Sequence, residues 1–367
     1  NELDFATTYS SEITKEVKLL VDSKFDNINI KDTLNKIVDN WYSLPRKYND
    51  QYKMTRFFLN IFMTDEELQN ISSFDSLFDK YYCDGIIINL LKVNKNIENS
   101  LENFRVINDD RVVLKISKLS INKKFENLLK EYEAINYIKH NGNMIDETLN
   151  ELEIMEKEIV DAIQEVTKEI FSEGNVQQYL YMTKSFKRVQ HVSKLLSKIC
   201  EEIYNKTPRI NNEMINKLEL QAPIKKARNV VIDSILTHNI NLISSPTSAE
   251  ATIYKAIVGK KDEELSISNI LELIKNFIKS TDNNKRSFKE LYNILLNKPY
   301  SVRKGVIPIL LSLALCDYSD NTLLHYLDRE INLNSETLVK INDNPDKYFI
   351  EIEIGTSDKI DYITNLM

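Results

Sequence analysis

Lys206-Thr-Pro-Arg-Ile-Asn-Asn-Glu-Met-Ile-Asn216 is a dense polar break between two amphipathic runs. Before it, Val189, Val192, Leu195, Leu196, Ile199 and Ile203 recur at helical spacing; after it, Pro223 opens a run through Ala227, Val231 and Ile235. A short helix over 213–220 fits between them. Three helices with tight polar connections predict a helix-turn-helix-like unit, a pattern that any small bundle also uses.

Outward from that stretch, the 367 residues are 42% hydrophobic, with Gly 6 and Pro 7. A chain of this length and apolar content supports more than one core, and the scarcity of turn residues favours long helices. The expected class is mainly α with small β-sheets, α+β, built of helical bundles and a C-terminal winged-helix-like module. Residues 1–120 read as a helical domain with a small sheet. Helices are predicted over 12–21, 31–42 and 50–62, the last strongly aromatic with Tyr52, Phe57, Phe58 and Phe62. Trp41, Tyr42 and Tyr48 join that core, and the aromatic stripe is packing rather than a ligand platform. Ile86-Ile-Ile-Asn-Leu-Leu91 is a buried strand, and Phe104 to Ile107 and Arg111 to Ile116 flank a predicted hairpin turn at Asn108-Asp-Asp110.

Residues 121–175 form a long amphipathic helical hairpin broken at His140-Asn-Gly-Asn143. Its second arm repeats Leu152, Met155, Ile159, Ile163, Val166 and Ile170. Residues 145–173 carry ten acids against two lysines, a solvated acidic face or a rod that docks a partner. The sign then reverses. Residues 184–228 carry eleven Lys plus Arg against four Glu, inside a chain whose net charge is −7. A basic segment held in an acidic protein points to a surface that meets phosphate or an acidic partner. Residues 176–260 therefore read as a basic helix-turn-helix-like domain. Within it Lys225, Lys226 and Arg228 oppose the dipole at the start of the Pro223 helix, an arrangement that suits a bound anion or intramolecular pairing with the acidic helix.

Residues 261–367 read as the winged-helix-like module: helices over 267–278, 288–296 and 303–315, strands near 323–327 and 330–333, a helix near 336–341 and a closing strand over 348–354. Residues 267–304 hold eight basic side chains against three acids, and Lys298, Arg303 and Lys304 surround the start of the third helix. That helix continues Val306-Ile-Pro-Ile-Leu-Leu-Ser-Leu-Ala-Leu315, too apolar to read base edges, which favours backbone contact or a protein joint over sequence-specific readout.

Nucleotide-binding and catalytic signatures are missing: no GxxxxGK[ST], GxGxxG, HExxH or GxSxG occurs, and Gly259-Lys260-Lys261 lacks the upstream glycine of a phosphate loop. Cys83, Cys200 and Cys316 are far apart and read as buried free thiols. His140, His191, His238 and His325 lie on separate predicted elements, without metal-ligand spacing. Paired acids such as Asp109-Asp110 and Glu263-Glu264 sit in presumed loops. The chain itself is expected to be no enzyme. No apolar run reaches the roughly 18 to 20 residues of a membrane span, and no signal-peptide pattern opens the chain, so a cytoplasmic protein is expected.

The runs Ile199 to Asn216, Ile224-Lys-Lys-Ala-Arg-Asn229, Ala249-Glu-Ala-Thr-Ile-Tyr254 and Pro299-Tyr-Ser-Val-Arg-Lys-Gly-Val-Ile-Pro-Ile-Leu-Leu311 resemble the non-catalytic region of very large bacterial P-loop ATPases of phage-defence systems, BREX-type ATPases among them. The resemblance covers about 186–350 and extends upstream through Leu44-Pro-Arg46 and Asp84-Gly-Ile-Ile87. It implies a fragment whose AAA-like domain, with its ATP and Mg²⁺, lies before Asn1; no cofactor is expected here. The combined expectation is a module that contacts duplex DNA through its backbone, or couples it to the motor, with Arg209, Lys225, Lys226, Arg228, Lys298, Arg303 and Lys304 as contacts. The alternative is a structural module that binds other subunits of a defence complex and no nucleic acid.

Overall fold

A computed structural model describes residues 2–92, 97–141, 146–187, 189, 191–243, 245–258, 267–282 and 284–352. The chain is 56% helical and 15% strand, the α+β composition expected. It forms two compact units, Asn1–Leu44 with Arg56–Leu195, and Pro45–Thr55 with Leu196–Met367, rather than the four consecutive parts that the sequence suggests. The expected break at 142–143, the Gly259-Lys260-Lys261 triplet, the Glu263-Glu264 pair and the last two positions of the closing strand lie outside the described residues.

In chain order the first half contains α1 (Glu2–Ser23), α2 (Ile30–Ile37), β1 (Tyr42–Ser43), α3 (Arg46–Tyr52), β2 (Phe58–Thr64), α4 (Asp65–Asn70), α5 (Asp75–Lys80), β3 (Gly85–Leu91), α6 (Glu98–Ile107), β4 (Val112–Ser117), α7 (Lys123–Asn141), α8 (Asp146–Ile170), β5 (Val176–Tyr181), β6 (Lys184–Phe186) and α9 (Val192–Ile203). All but α3 and the later part of α9 belong to the first unit. Its sheet has the order β1-β2-β3-β4-β5-β6, with β2, β3 and β4 parallel and the other pairs antiparallel.

Helices cover both faces of this sheet. Leu59, Ile61, Ile86, Ile88, Val112 and Leu114 meet Leu68, Leu101 and Phe104 on one side. Phe62 and Leu91 meet Leu34, Phe125, Leu129 and Ile163 on the other. Burial on both faces is why these parallel strands run apolar instead of alternating. The acidic helical pair is consequently part of this core, with α8 burying Leu152, Ile163, Thr167 and Ile170.

Two predicted elements change identity. The helix expected over 50–62 is instead the short α3, closed by Lys53 at φ 48°, followed by β2, fully buried from Phe58 to Met63. The strand expected at Phe104 to Ile107 is the end of α6, and Asn108 is its left-handed cap at φ 53° rather than a hairpin corner. With a helical crossover between them, β3 and β4 lie parallel.

The second unit continues with α10 (Ala222–Leu236), α11 (Ala249–Ile257), α12 (Ile267–Lys279), β7 (Arg286–Ser287), α13 (Phe288–Leu296), α14 (Ile307–Leu315), β8 (Thr322–Tyr326), β9 (Arg329–Ile331), α15 (Ser335–Asp343) and β10 (Tyr348–Ile352). The helix expected over 213–220 does not form; that stretch is a series of turns. From 267 onward the expected helices and strands occur in the expected order, but an unexpected short strand, β7, lies between α12 and α13, and the sheet runs β7-β10-β8-β9, with the closing strand between β7 and β8. The apolar α14 is the centre of this core: eight of its nine residues are buried. No helix among the described residues is long and apolar enough to cross a membrane.

Candidate basic interface of the second unit

Residues 206–217 lack regular structure because their polar side chains bond to neighbouring backbone. The hydroxyl of Thr207 donates to the carbonyl of Tyr300 at 2.6 Å, and the amide of Lys206 donates to the carbonyl of Pro299 at 3.3 Å. At the other end the amide of Gly305 donates to the carbonyl of Lys217 at 2.9 Å. A Cβ on Gly305 would lie 2.2 Å from the carbonyl oxygen of Ile215, so only glycine permits this approach. The loop 206–217 and the loop 298–305 are thus joined at both ends.

A third segment is tied to the same place. Asn216, buried, donates from Nδ2 to the carbonyls of Tyr52 and Lys53 at 3.2 and 3.3 Å. Arg303, also buried, donates from Nη2 to the carbonyl of Thr55 at 2.6 Å. Such bonds count chiefly because a buried carbonyl deprived of its donor costs about 1 to 3 kcal/mol.

This arrangement sorts the seven expected contacts. Lys225 and Lys226 are exposed on the first turn of α10, which holds no acid and receives no side-chain cap from Gln221. Neither lysine has an acidic partner among the described residues. Lys298 is exposed and Lys304 half-buried; Arg209 is half-buried, with its guanidinium 5.1 Å from the ring centre of Tyr52. Arg228 and Arg303, expected as outward contacts, are instead buried, only 3% and 7% exposed. Arg228 is packed inside the unit, where burial pushes its pKa down against the pull of Asp343 and Tyr292. Arg303 stitches backbone rather than reaching outward.

In their place the fold adds Lys53, Lys206 and Lys217, all exposed. Lys206 and Lys217 bracket the opening stretch and could have been chosen from sequence. Lys53, in contrast, joins them through the bonds that Asn216 and Arg303 make to its segment, across 163 and 248 residues. Glu213 and Glu219 are the acids of the same stretch, also exposed.

The thiols are free, but only Cys200 is fully buried; Cys83 and Cys316 are half-buried. Cys316 Sγ lies 3.4 Å from His238 Nε2, a pairing that the wide sequence separation concealed. Burial raises the Cys316 pKa, with Asp317 adding to the shift, so the pair lacks an activated thiolate. No group of three or more potential metal ligands occurs among the described residues.

Comparison with protein-family models, with curated proteins and with solved structures gives no match for this chain.

One polar centre lies in the first unit, where the sequence suggested packing alone. Lys115 on β4 stands opposite Asn89 on β3 and Tyr179 on β5. It is 6% exposed, with Nζ 5.2 and 5.8 Å from the ring centres of Trp41 and Phe171. No hydrogen bond or ion pair to another described residue holds it. Burial pushes its amine down to about 8, against an upward pull from Glu173. Asn89 Nδ2 donates to the carbonyl of Ile61 at 3.2 Å, while burial raises the Tyr179 phenol.

Proposed function

We propose that the second unit contacts the backbone of duplex DNA through its joined basic loops and the first turn of α10. In this reading the chain is a coupling module of a large ATPase of the phage-defence type, as the sequence resemblance implies. The observation that carries the proposal is the pairing of loops 206–217 and 298–305. It gathers Lys206, Lys217, Lys298 and Lys304 from two distant basic segments, beside Lys53.

Elsewhere the fold pairs many of its lysines with acids, as in Lys31 with Glu67, Lys139 with Glu156 and Lys275 with Asp317. By contrast, Lys53, Lys217, Lys225 and Lys226 have no acid within ion-pair distance among the described residues. Uncompensated cations of this kind match a ligand that brings its own negative charges. The burial of α14 keeps the helix that follows Arg303 away from base edges, which fits backbone contact by the loops on a duplex.

The test is duplex binding across a salt series. Wild type should bind at low salt with little sequence preference, and K225Q/K226Q should weaken binding and flatten the slope of log affinity against log salt by about 2. No duplex binding at low salt, with assembly onto a protein partner instead, would favour the subunit-binding alternative.

A further inference from the structure

Beside the joined loops, α12 presents Asn269, Glu272, Leu273 and Asn276 at spacings of three and four, one continuous helical face. Together with Asn205, Lys206 and Tyr300 it lines an open groove of about 460 Å³, within the range of small-molecule sites. The lining is unusual for a solvated helix face, where Lys and Glu normally dominate. Three carboxamides point to this one space, and the side chains of Asn205, Asn269 and Asn276 make no hydrogen bond among the described residues. Leu273 and the Tyr300 ring give it an apolar wall. Lys206 Nζ lies 5.7 Å from the centre of that ring, placing a cation at the same aromatic surface.

We propose that this groove takes an unstacked nucleobase of a single-stranded nucleic acid whose phosphates lie on the adjoining basic loops. The chemistry of each wall fits. A carboxamide donates and accepts at once and so matches the edge of a base, as the Glu272 carboxylate matches an exocyclic amino group. The Tyr300 ring offers a stacking surface that every base can use. Lys206 is shared by groove and loop pair, so a base in the groove has its own phosphate beside a lysine. A duplex keeps its bases stacked and cannot fill the groove, whereas an unpaired strand can.

The inference rests on the backbone-binding reading above, and its test separates the two. Fluorescence anisotropy would compare a labelled unpaired strand, an abasic strand with the same number of phosphates, and a duplex, against wild type and N269A/N276A. Both asparagines are exposed, so the variant should keep its fold, which circular dichroism would verify. Wild type should prefer the unpaired strand over the abasic one about tenfold, and the variant should lose that preference while duplex affinity stays the same. Equal binding of unpaired and abasic strands by wild type, or unchanged single-strand affinity in N269A/N276A, would overturn the base site alone. Failure to bind any of the three polymers at low salt would overturn the backbone reading and the base site together.

Discussion

Replacing Lys115 by Met should stabilise the first unit. Folding lowers the amine from an ordinary value of 10.5 to about 8, because burial penalises its charged form. At neutral pH that penalty amounts to about 3 kcal/mol. Methionine keeps most of the side-chain volume beside Trp41 and Phe171, and loses cation–ring attractions of about 1 kcal/mol. The net expectation is a gain of about 2 kcal/mol. Its pH dependence has a definite sign: between about 8 and 10.5 the unfolded amine is protonated and the folded amine is not. Unfolding therefore takes up a proton, and this group's contribution to wild-type stability rises with pH through that window. The advantage of K115M should be complete below about 8 and largely gone near 10.5. Trp41 is the only tryptophan and lies against Lys115, so urea unfolding followed by its fluorescence reads the relevant unit. A variant less stable than wild type at neutral pH, or a difference that does not change on going to alkaline pH, would refute the reasoning.

Three further outcomes are expected. Gly305→Ala should cost about 3 kcal/mol or more, seen as a lower thermal midpoint by circular dichroism, because the new methyl meets the carbonyls of Ile215 and Lys217. Asp84→Asn should destabilise the first unit by about 3 to 5 kcal/mol, since it leaves the fully buried Arg56 without the carboxylate that it meets at 2.6 Å. Cys83 should react slowly with disulfide reagents in the native protein and rapidly after denaturation: burial, with the neighbouring Asp84 charge, pushes its thiol up to about 12.

The long periodic elements were legible because each has one apolar stripe: the acidic helical pair and the helices that became α10, α12 and α13 fall within a few residues of their predicted places. The region 50–62 was not, because Phe58, Ile61 and Phe62 satisfy helical spacing while a strand buried on both faces shows no alternation to contradict it. Asn108 failed for a related reason, since a left-handed Asn serves a helix end as readily as a turn.

Of the site, Lys225 and Lys226 were correctly placed at the exposed start of a helix. Arg228 was legible and misread: Val231, Ile232 and Ile235, three, four and seven residues on, are all buried, so the same spacing puts Arg228 on the inward stripe. Arg303 and Lys53 were not legible, because their placement depends on hydrogen bonds spanning 248 and 163 residues.

The most direct test of a fold-made basic surface uses cations that are distant in sequence and brought together by the loop pairing, Asn216 and Arg303. For K53Q/K217Q/K304Q, the slope of log duplex affinity against log salt should be shallower than that of wild type by about 2 to 3. An unchanged slope in a variant of unaltered stability would contradict it.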